Sequence, residues 1–115
     1  MEVSIMSIDN RRRQRARVKW PVVIQTPTGR LVDGKAENLS LSGAFIRLSS
    51  QLESNHNLPV VLDVRGRLIP CTAQVIWSDE SSPSHHSKSL GIGVRFTRMM
   101  LHDREFLYGE ISGHF

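Results

Sequence analysis

The sequence predicts an all-β domain, an antiparallel barrel or sandwich finished by one C-terminal helix. Three observations carry this. Apolar and polar residues alternate in several short runs between Val18 and Phe96, the period-two pattern of half-buried strands. Turn-forming residues bound each run and no helical pattern lies between them, which argues against alternating strands and helices. Only from residue 98 onward does the apolar spacing become helical. At 115 residues, with 39% hydrophobic and 23% charged side chains, the chain has the size and composition of one domain around one core.

Residues 1–10 show no periodicity and read as a flexible leader to a domain of 11–115. In the first run Val18, Trp20, Val22 and Ile24 alternate with Lys19, Pro21, Val23 and Gln25, and "TPTG" (26–29) then supplies a turn. Residues 31–37 alternate more weakly. Runs at 44–48, 60–64 and 69–77 follow, and in the last of these Ile69, Cys71, Ala73, Val75 and Trp77 share a face. In "GIGVRF" (91–96) Ile92, Val94 and Phe96 do the same. The breakers are "QLESNHNLP" (51–59), "RGR" (65–67) and "SDESSPSHHSKS" (78–89). At the end, Met99, Met100, Phe106, Leu107 and Ile111 stand at helical spacing with "HDRE" (102–105) on the outside, although Gly109 and Gly113 weaken that helix.

Charge is concentrated rather than spread. The net charge is +4, yet residues 11–19 hold six of the fifteen bases and no acid. Outside that segment nine bases face eleven acids, so the body of the domain is slightly acidic. A duplex-coating protein spreads cations over a whole face; this distribution favours a compact anion. Cys71 is the only cysteine, which excludes an intrachain disulfide and a thiol-pair metal site. Its alternating apolar neighbours in "RLIPCTAQVIW" predict a buried, inert thiol. No apolar run of membrane-spanning length occurs and no secretory leader opens the chain, so the expectation is a soluble, cytoplasmic protein without membrane insertion.

Two polar stretches carry functional information. "RRRQRARVKW" (11–20) contains five arginines to one lysine. The planar guanidinium binds phosphate or the O6/N7 edge of guanine through paired hydrogen bonds and stacks on a base, which lysine cannot do. The composition therefore tilts toward a ligand bearing guanine and phosphate, against the plainer reading of a solvated basic arm. "ENLSLSGAFI" (37–46) places Asn38 and Ser40 two apart, with Gly43 three residues later. Asn, Ser and Gly before a strand are ordinary turn residues. A polar turn side chain can also accept from the N–H donors of guanine, and a glycine permits close backbone approach.

Taken in order, the two stretches resemble the PilZ family. Its signature is Arg-x-x-x-Arg before an apolar strand, then Asp/Asn-x-Ser-x-x-Gly about twenty residues later. Here these are "RQRAR" (Arg13 and Arg17) and "NLSLSG" (Asn38, Ser40 and Gly43). Arg11 and Arg15 have the same spacing; Arg13 and Arg17 are chosen because Arg17 directly precedes "VKWPVVI". "LGIGVRF" is similar to the family's closing strand. The resemblance implies a six-stranded antiparallel β-barrel with a C-terminal helix, and a bacterial receptor for the second messenger cyclic di-GMP. It further implies that Arg13 and Arg17 grip phosphate and guanine, that Asn38 and Ser40 meet a guanine, and that Gly43 keeps the loop close. Asn38 stands where Asp is more frequent in the family. Arg12 matches a position associated with an intercalated pair of ligand molecules, which implies two cyclic di-GMP per chain. On this reading Arg15 contributes much less than Arg13 or Arg17.

The remaining candidates point elsewhere. Trp77 could stack on a base, but sharing a face with Ile69, Ala73 and Val75 favours the core. His85 and His86 lie in a Ser-rich stretch with no acid or cysteine at ligand spacing, so no metal site is expected. No catalytic triad order or phosphate-binding glycine loop appears, and neither an enzyme nor a cofactor is expected. The expected protein is a receptor that passes the signal to an effector protein. The alternatives are a PilZ-like protein–protein adaptor with weak or no nucleotide binding, and a barrel that binds RNA or DNA through the same arm.

Overall fold

The computed structural model of the chain describes residues 15–52, 57–78 and 90–113, without the side chains of Trp77 and Ser78. The leader expected at 1–10, Arg12, Arg13, and His85 and His86 lie outside the described residues. Six strands form a closed antiparallel barrel: β1 (Trp20–Gln25), β2 (Leu31–Glu37), β3 (Gly43–Leu48), β4 (Asn57–Val64), β5 (Arg67–Ser78) and β6 (Leu90–Met99). Helix α1 (Leu101–Ser112) follows. Around the barrel the order is β1-β2-β3-β6-β5-β4, so β6 is inserted between β3 and β5, and β4 closes against β1. The predicted barrel and terminal helix are both present.

Strand alternation sets the core. Trp20, Val22 and Ile24 of β1 point inward with Val32 and Ala36 of β2, Ala44, Ile46 and Leu48 of β3, and Leu58 to Val64 at every second position of β4. Each large aliphatic side chain taken from water in this way contributes about 1.5–3 kcal/mol. Leu107 and Ile111 of α1 complete the cluster. Arg65 and Gly66 join β4 to β5 with φ of 56° and 98°. Two successive left-handed residues match the twist of a tight hairpin. The Gly66 N–H donates to Asp63 Oδ1 at 2.8 Å, which holds that turn.

The strands exceed their predicted bounds, most of all at the start of β4 and the end of β6. Asn57, Leu58 and Pro59, read from sequence as part of a breaker, belong to β4, with Leu58 inside and Pro59 out. β6 runs on to Met99, because Met99 pairs with Cys71 of β5 and adds another strand position there. Met99 and Met100 are therefore not helical; Met100 is the N-cap and is exposed. Nor does all of "HDRE" face solvent. Asp103 is buried and accepts from Arg67 Nη2 at 2.9 Å, and that guanidinium also lies over the Phe106 ring. The ion pair fastens α1 to the start of β5. No helix among the described residues is long and apolar enough to cross a membrane, and no three metal-binding side chains cluster there.

Candidate functional site

The basic segment meets the polar loop through its apolar residues. Ala16 and Val18 are buried, while Arg15, Arg17 and Lys19 between them are exposed. Ala16 forms an isolated antiparallel bridge with Leu39, each N–H donating to the other's carbonyl at 2.8 Å. Leu39 is fully buried, so the bridge rests on the core. Alternation then forces the three cations outward beside residues 38–43.

The loop is held from within. Asn38 takes φ 48°, a left-handed conformation that asparagine tolerates better than most residues. Its carbonyl accepts from Arg15 Nη2 at 2.9 Å, and its side chain is exposed. Ser40 is fully buried. Its Oγ accepts the N–H of Ser42 at 3.2 Å and of Gly43 at 3.3 Å, and its own N–H donates to the Gly43 carbonyl at 2.9 Å. The hydroxyl, expected from the motif to meet a guanine, is thus turned into the loop and shapes it. Two further bonds tie the loop to the fold: Phe96 N–H to the Ser42 carbonyl at 2.9 Å, and Arg104 Nη1 to the Leu41 carbonyl at 3.5 Å. Gly43 is needed for a reason absent from the sequence. A Cβ there would overlap the Val94 carbonyl oxygen on the neighbouring strand. The close approach is of β6 to β3, in the first pair of their ladder.

Two shallow bays lie along the loop, one of them lined by Asn38. One, of about 250 Å³, is lined by Arg17, Val18, Lys19, Glu37 and Asn38. The other, of about 280 Å³, is lined by Gly43 and Gly93 together with Arg15, Phe45, Ile76 and Arg95. The structure therefore brings Arg17 and Asn38 to one cavity and Gly43 to its neighbour, with Arg15 bonded to Asn38 across the divide. Arg12 and Arg13 are outside the described residues.

A family model for the PilZ domain matches residues 9–110. The chain belongs to the PilZ family. PilZ domains are regulatory binding domains, receptors and adaptors of cyclic di-GMP signalling, rather than enzymes. Among solved structures, this PilZ domain is similar to the inhibitor of motility MotI/DgrA of Bacillus subtilis, with a TM-score of 0.71 and 19% identity. That likeness covers 89% of this chain and 50% of the other, so the chain spans half the length of that protein, and it is a likeness of fold. No curated protein matches the sequence.

Sequence reasoning ranked Arg15 below Arg13 and Arg17 and passed over Phe45, Ile76 and Arg95. Arg15 carried a signal, since Arg11 and Arg15 repeat the motif spacing. Ile76 did not. It is the extra residue of a β-bulge, with Val75 opposite Val94 and Trp77 opposite Gly93. Alternation with Ala73 and Val75 already sets Ile76 outward; the bulge ends, beyond it, the alternation from which Trp77 was assigned to the core face.

Proposed function

We propose that this PilZ domain binds cyclic di-GMP between its N-terminal arginine segment and the Asn38–Gly43 loop, and relays the signal to an effector protein. The observation that carries this reading is the Ala16–Leu39 bridge. It sets Ala16, near the end of the RxxxR segment, against Leu39 of the NxSxxG loop, although some twenty residues separate them in sequence. Exposed guanidinium groups then stand beside exposed polar loop atoms, as an anionic nucleotide requires. Arg13 and Arg17 grip phosphate and guanine, Asn38 accepts from a guanine N–H, and Ser40 and Gly43 keep the loop in shape. Arg12 meets a second ligand molecule.

Calorimetric titration with cyclic di-GMP tests each part. Arg13→Ala and Arg17→Ala each remove a charge-assisted contact of about 1.5–3 kcal/mol, roughly ten- to a hundredfold in affinity. Arg65→Ala, on the β4–β5 hairpin, is expected to leave binding unchanged. Equal losses at all three positions mean a generic cationic patch. Saturation at one ligand per chain removes the role given to Arg12. A chain whose melting temperature does not rise with cyclic di-GMP is an adaptor instead.

A further inference from the structure

Arg95 lies on β6 opposite Gly43 of β3 on one side and Gln74 of β5 on the other. Its Nη2 donates to Gln74 Oε1 at 2.7 Å, which fixes the exposed guanidinium on the barrel wall. The choice of acceptor matters. Arg47, Arg65 and Arg67 each face a carboxylate, from Glu37, Glu110 and Asp103. Arg95 is held by a neutral amide and Arg15 by a neutral carbonyl, so both are positioned without their charge being balanced by the group that holds them. Both line the same bay. Gly43 and Gly93 contribute only backbone to the lining of that bay, which Phe45 and the 56% exposed Ile76 also line.

We infer that Arg95 is a further ligand-binding residue, the barrel's half of an anion site whose other half is Arg15. A phosphate of cyclic di-GMP sits between the two guanidinium groups over Gly43, and a guanine lies flat on the glycine base between Phe45 and Ile76. The inference rests on the binding function proposed above and adds to it Arg95, a residue outside both motifs. Two forked donors held apart by the fold suit a phosphate diester, which presents oxygens on opposite sides. A base can approach bare backbone more closely than any side chain would allow.

Calorimetric titration of Arg95→Met, Gln74→Leu, Arg98→Met and Arg17→Ala with cyclic di-GMP tests it, with thermal melts of each variant as a check on folding. Arg95→Met is expected to lose about tenfold or more in affinity and to lessen its salt dependence, as loss of one charged contact requires. Gln74→Leu keeps the charge but frees the guanidinium, and loses less. Arg98→Met, an exposed arginine on the same strand, stays at the wild-type value. Wild-type affinity in Arg95→Met, with Arg17→Ala weakened, overturns this inference and leaves the proposed function standing. Should Arg95→Met fail to fold, unchanged affinity in Gln74→Leu overturns it equally. No binding by the wild-type chain overturns both.

Discussion

Cys71 shows burial silencing a reactive group. It sits on the inner face of β5, between Val60 of β4 and Met99 of β6. Burial, and secondarily the negative charge of Asp103, pushes its thiol up to about 12 from an ordinary 9.0. Because the folded value is the higher one, the native chain keeps its proton where the unfolded chain has lost it. The contribution to stability is therefore whole below pH 9 and is lost as the pH climbs toward 12, by up to about 1.4 kcal/mol per pH unit. Urea unfolding at about pH 8 and about pH 10.5 is expected to show this loss in the wild type and a smaller one in Cys71→Ala. Parallel losses in both proteins would mean that other groups dominate. The alternation of "RLIPCTAQVIW" announced the burial. Nothing in the sequence announced Asp103, whose carboxylate reaches the core region only because α1 turns it toward Arg67.

At the scale of elements, period two made all six strands legible, because a barrel buries one face of every strand. The ladder's irregularities were not legible. Thr97 and Ile76 are extra residues that no alternation predicts, and each changes which side chains share a face beyond it. The candidate site was legible in the same uneven way. Asn38, Ser40 and Gly43 do lie together, but their division of labour depends on which atoms turn inward, and that is a property of the folded loop. Gly43 carries the sharpest consequence. Gly43→Ala sets a methyl group against the Val94 carbonyl, so either β3 moves off β6 or the loop deforms. Overpacking of this kind costs about 1–3 kcal/mol. The expected result is a lower urea midpoint with an unchanged slope, together with weaker cyclic di-GMP binding from the displaced loop. A variant as stable as the wild type would show that the strands part easily.

Across the whole molecule the charge map and the fold combine into a mechanism. Five arginines fall within residues 11–17, and the Ala16–Leu39 bridge holds the end of that run against the loop. Like charges so closely spaced oppose any single compact arrangement of the segment, whereas a dianionic nucleotide between them and the loop reverses the sign of that interaction. On the function proposed above, ligand binding would select the arrangement in which the segment lies over the barrel, a population shift governed by differential affinity. On that proposal the surface presented to an effector protein would change with it. Amide hydrogen exchange separates this mechanism from a preformed site. The Ala16 and Leu39 amides are already bonded and should change little, while residues 9–15 should slow markedly at saturating cyclic di-GMP. Equal exchange with and without ligand across 9–19, in a chain that calorimetry shows to bind, would mean that the segment is ordered before the ligand arrives. The signal would then have to leave the domain by another element.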